Sequence, residues 1–173
     1  LYTKNPEYEG LFYNCILKNI TAIMGGTQTN QSSGYSSGIC GFSLTIECDS
    51  PFMWSDEIVK HFDSTDDALT LNNKSHNKDY LYPKLTFKVG LEGGDVTIQN
   101  TTDNNRLSIF KNLEANETIV LDNEKKIITS TFGLKRYSDF NKLFFRLLQG
   151  QNSIHIIGDV EWVEIKYKEQ RVI

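Results

Sequence analysis

The sequence predicts an all-β protein, an antiparallel β-sandwich preceded by part of a smaller β domain, and three observations carry that expectation. Short apolar runs recur about every 8–12 residues through the second half, the rhythm of strands in a sandwich or barrel. Several of these runs alternate cleanly, as Leu85, Phe87, Val89 and Leu91 do with Thr86, Lys88 and Gly90. Turn chemistry separates them, with Gly93-Gly94-Asp95, Asn123-Glu124 and Gly158-Asp159 in the gaps.

The chain of 173 residues fits one domain, or one domain with part of another. Its apolar fraction of 39%, with 12 glycines added, falls in the globular range of roughly 45–50%, so it can bury a core. Net charge is −4 and the basic residues are scattered, which leaves no electropositive stripe for a phosphate backbone. No nucleic-acid partner is expected. No apolar run reaches the roughly 18 residues of a membrane span, and Leu1-Tyr2-Thr3-Lys4-Asn5-Pro6 does not read as a signal peptide. A start without Met suggests a fragment or a processed chain. The three cysteines, Cys15, Cys40 and Cys48, are odd in number and confined to the first third, which predicts reduced, buried thiols rather than a disulfide framework. No Cys-x-x-Cys or partnering His stands at metal-ligand spacing, so no metal and no cofactor is expected.

In chain order, residues 11–18 carry apolar residues at both parities, the mark of a strand covered on two sides. The Ser/Gly-rich stretch 25–38 offers little apolar area against the entropy of ordering and predicts a mobile or partner-ordered loop. Residues 41–48 predict a half-buried strand with Phe42, Leu44, Ile46 and Cys48 on one face. Asp49-Ser50-Pro51 stops the ladder and sets a domain boundary at 51/52. A short strand is predicted at 57–63, a loop at 72–79, and a hairpin whose strands carry Leu85–Leu91 and Val96–Ile98 around Gly93-Gly94-Asp95. A strand at 107–110 and a strand pair at 118–122 and 126–132 follow. From Tyr137 to Leu148, the spacing of Phe140, Leu143, Phe144, Leu147 and Leu148 fits a helix capped by Ser138, or else an irregular loop feeding a strand at 144–148.

The last predicted element is a hairpin of strands 153–157 and 160–168 turning at Gly158-Asp159, where Gly can take the positive φ of a type II′ turn. That register sets Ile157 opposite Val160, His155 opposite Trp162 and Ile154 opposite Val163, and leaves both faces apolar.

Catalytic signatures are missing: no Gly-x-Ser-x-Gly, no P-loop, no His-Glu-x-x-His and no dinucleotide fingerprint, so no enzyme is expected. Asp63, Asp66, Asp67, Asp103 and Asn104 lack the alternating acids of a calcium loop and read as solvated loop residues. Trp54, Trp162, Tyr80 and Tyr82, with His155 beside Trp162, are the candidate binding residues, either for a cell-surface carbohydrate or for a protein partner. Packing of these rings in a core or a subunit contact is the competing account.

Five stretches also carry a family likeness: Phe42 to Ser55 with its Cys48-Asp49-Ser50-Pro51-Phe52 core; Asn77-Lys78-Asp79 before Tyr82-Pro83-Lys84-Leu85; Thr97-Ile98-Gln99-Asn100; Asn116 to Asp122; and Leu147 to Ile154. In these the chain resembles the distal tail protein (Dit) of long-tailed, siphovirus-type phages and prophages, with Lys78 where that family commonly has Gly. The resemblance implies a galectin-like or jelly-roll-like sandwich over 52–173 and the end of a ring-forming β domain over 1–51. It further implies a non-enzymatic subunit of the virion tail, assembled in the bacterial cytoplasm. The implied assembly is a hexameric ring meeting tail-tube, tape-measure and tail-tip or receptor-binding proteins.

Overall fold

The computed structural model describes residues 9–28, 35–63 and 68–172, and of residues 26–28 and 35–38 it describes the backbone alone. The chain divides into two compact units, 1–53 and 54–172. The pairing of β2 with β3 and those within the five- and four-stranded sheets of the second unit are antiparallel.

The first unit holds β1 (Leu11–Phe12), β2 (Cys15–Gln28) and β3 (Tyr35–Cys48). β2 and β3 form a long two-stranded ribbon whose register runs from Cys15↔Cys48 to Gln28↔Tyr35. The strands therefore continue well into the Ser/Gly-rich stretch that composition predicts as loop. Backbone pairing needs no apolar side chain, so a polar segment can extend a ladder that is already in register. Residues 29–34 lie outside the described residues.

A register shift between Leu17 and Asn19 inserts Lys18 as an extra residue and reverses the parity of β2. Cys15, Leu17, Ile20 and Ala22 thereby share one face with their partners Cys48, Ile46, Leu44 and Phe42. The mixed parity of the sequence reflects this bulge, together with Ile16 on the opposite face beside Glu47. Burial differs from expectation in both strands, since Ile16 is 62%, Leu17 50%, Leu44 56% and Phe42 62% exposed.

β4 (Met53–Ser55) spans the division between the units, and the second unit continues with β5 (Ile58–Asp63), β6 (Leu69–Asn73), β7 (Lys84–Val89), β8 (Gly94–Asn100), β9 (Arg106–Leu113), β10 (Thr118–Asp122), β11 (Ile127–Ser130), β12 (Gly150–Ile157), β13 (Val160–Tyr167) and β14 (Gln170–Arg171). A five-stranded sheet in the order β11-β10-β7-β13-β5 and a four-stranded sheet in the order β6-β12-β8-β9 make the sandwich. Leu85, Phe87, Ile119, Leu121, Val163 and Ile165 of the first sheet join Leu71, Val96, Ile98, Phe110 and Ile154 of the second in one buried cluster. Phe87 meets Phe110 edge-on across the layers at 5.5 Å, and Phe110 stacks on Phe140 at 4.5 Å.

Two hairpins predicted by turn chemistry do not form. β12 pairs with β6 and β8, while β13 pairs with β5 and β7, so Gly158-Asp159 carries the chain from one layer to the other. His155 consequently sits opposite Gln99, and Trp162 opposite Asp63 and Lys88. The strands flanking Gly93-Gly94-Asp95 likewise lie in different sheets. The two crossovers pack together: Asp159 accepts from the Glu92 amide at 2.6 Å and from the Gly93 amide at 3.3 Å, and its own carbonyl accepts from Gly90. Gly158, at φ +118°, has Asp95 and Val96 backbone where a Cβ would stand. The Gly-Asp pair is thus fitted to a neighbouring turn rather than to a hairpin. By contrast, β10 and β11 do pair about Asn123-Glu124, as their turn predicts.

Residues 137–148 form neither a helix nor a strand at 144–148, only the isolated bridges Phe110↔Phe140 and Leu81↔Leu147. Their backbone groups are held from outside. The Leu143 and Phe144 carbonyls accept from Ser108 and Arg106, the Phe145 amide donates to Asn123, and the Arg146 carbonyl accepts from Asn100. Buried Asn152 accepts from the Leu148 amide at 2.8 Å and donates to the Leu148 and Gly150 carbonyls. With partners supplied by tertiary contacts, the segment has no need of helical bonds. Asn152→Leu, close in size but apolar, is expected to cost at least about 2 kcal/mol by leaving several buried groups unpaired, read as a lower urea midpoint.

A buried ion pair ties the β9–β10 connection to the segment after β11. Arg136 donates through Nε and Nη2 to both carboxylate oxygens of Glu117, at 2.9 and 2.6 Å, and Ser130 donates to the same carboxylate. Glu117 is fully buried. Burial alone would push its carboxyl up, but the Arg136 and Ser130 hydrogen bonds outweigh that and hold it below the ordinary value of 4.5. A depressed folded pKa contributes stability that is complete above the ordinary value and disappears as pH falls through the lower folded one. Urea midpoints should therefore decline below about pH 4.5. Glu117→Gln should lose about 3–5 kcal/mol at neutral pH, because the buried Arg136 loses its two-point partner and keeps only the partly exposed Asp139 as counter-charge, and its deficit against the parent should shrink in acid.

Candidate functional site

Of the five residues singled out by sequence, the fold gathers three. Trp54, Tyr80 and Tyr82 line one cleft of about 320 Å³ in the second unit. Its walls come from the start of the unit, from the 75–84 connection, from the β10–β11 turn and from the end of β13. That connection follows an irregular path held by side chains: Asn77 accepts from the Asp79 amide and donates to Gln170, and Ser75 Oγ accepts from the Gln170 amide. Tyr80 and Tyr82 are thereby presented half-exposed.

Tyr80 is further fixed by Arg146, whose guanidinium lies 3.5 Å from the ring centroid. Arg146 is in turn held by Asp103 through a two-point contact of 2.7 and 3.0 Å, which pushes the guanidinium up from its ordinary value. One face of the Tyr80 ring is therefore occupied by a cation. Tyr167, buried on the cleft wall, has its phenol pushed up by burial and by Glu169. Around these rings the carboxylates Glu57, Asp79, Asp122 and Glu124 are matched by Lys84, Lys125, Lys166 and Lys168. A cleft of balanced charge, with rings to stack on and donors and acceptors at the rim, suits a neutral polyhydroxylated ligand better than a strongly charged one.

His155 and Trp162 take no part in it. Trp162 lies on the outer face of the five-stranded sheet, half-buried, with its ring 5.5 Å from His61. His155 belongs to the other sheet. Asp103, expected from the sequence to be a solvated loop residue, is instead buried and paired with Arg146, 43 positions away, a pairing that carries no local signal. Among the described residues no three His, Cys, Asp or Glu side chains gather as metal ligands; Asp66 and Asp67 lie outside them. No helix there is long and apolar enough to cross a membrane.

The cysteines also depart from expectation. Cys40 and Cys48 are exposed, and the Cys15 and Cys48 sulfurs stand 2.8 Å apart as free thiols at the root of the ribbon. The Cys15 contact raises the Cys48 thiol above its ordinary value.

The fold is similar to that in the crystal structure of the Dit protein (gp 19.1) of phage SPP1, titled a paradigm of the hub adsorption apparatus in phages infecting Gram-positive bacteria. The two agree with a TM-score of 0.60 over 94% of this chain and 62% of that one, at 8% identity, so the fold is Dit-like. The chain belongs to the family described as Phage tail C-terminal domain, which residues 52–167 match. It is also 28% identical over 120 residues to the SPbeta prophage-derived uncharacterized protein YomH of Bacillus subtilis (strain 168), covering 68% of this chain and 47% of that protein. The chain thus spans about half the length of its prophage relative, and what it shares with the family is a phage tail domain.

The two tryptophans occupy different surroundings, the cleft wall for Trp54 and the outer sheet face for Trp162. Perturbation at the cleft should report on one alone: Tyr82→Ala is expected to shift the emission of a Trp162→Phe protein and leave that of a Trp54→Phe protein unchanged.

Proposed function

We propose that the chain is part of a distal tail hub that joins the tail tube to the tip and adsorption apparatus, with residues 1–51 ending a ring-forming domain and 52–173 forming a galectin-like sandwich. The observation that carries this reading is the face of the ribbon bearing Leu17–Ile46, Ile20–Leu44 and Ala22–Phe42 as successive apolar pairs, open to solvent in the single chain. Contiguous exposed apolar surface of this kind marks a protein interface. A second copy in a hexameric ring, with tail-tube, tape-measure and tail-tip proteins as further neighbours, fits that surface in the virion tail. Assembly would take place in the bacterial cytoplasm.

Negative-stain images of the full-length protein are expected to show six-fold rings. Phe42→Asp combined with Leu44→Asp should convert the rings to smaller species while changing the urea midpoint of the sandwich by less than about 0.5 kcal/mol equivalent. A full-length protein that stays monomeric with its tail partners present defeats the proposal.

The cleft supports a second reading, a cell-surface carbohydrate site contributing to host recognition. Glycan-array binding by the chain should fall at least about tenfold in Trp54→Ala and Tyr82→Ala, the loss typical of a stacked anchor. An array without any binding removes this reading.

A further inference from the structure

We infer that Cys15 and Cys48 are a disulfide-forming pair, a modification site that locks the root of the β2–β3 ribbon once the protein meets a small-molecule disulfide. Three observations converge on it. The two residues are direct cross-strand partners, and their sulfurs are in contact at 2.8 Å. Their backbones are at the right kind of rung as well. The Asp49 amide donates to the Asn14 carbonyl at 3.1 Å, which makes 14/49 the hydrogen-bonded rung and 15/48 the adjacent non-hydrogen-bonded one. Non-hydrogen-bonded rungs bring Cα atoms to about 4.5 Å, within the span a disulfide bridges without moving the backbone. Finally, Cys48 is exposed, so a reagent can reach the pair, while Cys40 is engaged elsewhere with the Ile23 carbonyl at 3.3 Å.

The chemistry is thiol–disulfide exchange. One thiolate of the pair attacks a sulfur of the small disulfide, forming a mixed disulfide and expelling one small thiolate; the neighbouring thiolate then displaces the second. Two cysteine thiols are oxidised, one small disulfide is reduced to two small thiols, and the two cysteine protons end on those thiols. Inside a bacterial cytoplasm the pair stays reduced, and outside it an oxidising medium closes the bond. A cross-link between positions 33 residues apart restricts the open ribbon, which among the described residues is a two-stranded sheet. The inference rests on the ribbon's geometry and uses the tail reading only to say when oxidation occurs.

The test uses the chain equilibrated in graded ratios of oxidised to reduced glutathione, then alkylated and mapped by mass spectrometry. The expected product carries a Cys15–Cys48 bond, is lighter by two hydrogens, and leaves Cys40 as the single alkylated cysteine. Cys40→Ser should oxidise identically, and Cys48→Ser should accumulate glutathione on Cys15 instead of closing. Amide exchange flanking the bond should slow by about tenfold or more on oxidation. Stable glutathione adducts on both cysteines of the parent chain, or a bond that includes Cys40, would overturn the inference. Because it is read on the isolated chain, this outcome is independent of whether the full-length protein forms rings.

Discussion

The sandwich depends on contact between its two layers, of which the meeting of Phe87 from β7 with Phe110 from β9 is the centre. Both rings are fully buried, and Phe140 backs Phe110 from outside the strands. Neither sheet can stand in water with that face exposed, since the apolar area buried between them is the dominant favourable contribution to folding. Much of the topology follows from this constraint. The chain changes layer repeatedly between β5 and β8, and again at β9–β10, β11–β12 and β12–β13, so the layers are stitched together by crossovers rather than by hairpins alone.

Such stitching leaves irregular backbone close to the core, and buried asparagines hold it. Asn73, Asn100, Asn123 and Asn152 are all buried and all bond to main-chain groups at 83 or between 146 and 150, or to one another. An amide side chain offers donors and an acceptor together, which makes it the economical way to satisfy a carbonyl and an amide on one loop. Glu117, Arg136 and Ser130 do the same at the other end of β10 with charge added, and there the arrangement is sensitive to acid.

The ribbon obeys a different rule. It has strand pairing along its described length, and among the described residues the face that carries Phe42 and Leu44 is exposed. A two-stranded ribbon alone is marginal in water. Its stability therefore draws on whatever covers that face and on whatever closes its root, and the two proposals made for it concern these two ends of one problem. The cleft in the sandwich is separate in character: its aromatic residues are held in place by polar and ionic contacts, Arg146 over Tyr80 above all.

Sequence alone determined the all-β class, the strands with clean alternation, the β10–β11 hairpin and, by likeness, the tail family, because period-two patterning and turn residues act over a few neighbouring positions. Tertiary structure alone decided which strands pair. Gly158-Asp159 and Gly93-Gly94-Asp95 look like hairpin turns locally, yet each strand of β12 and β13 already has both edges filled by distant partners. The helix-like spacing at 140–148 lost to side-chain partners up to 75 positions away. The cleft and the cysteine pair were hidden for the same reason: their members meet only when the backbone has been folded, and no local pattern encodes a contact between residues that distant along the chain.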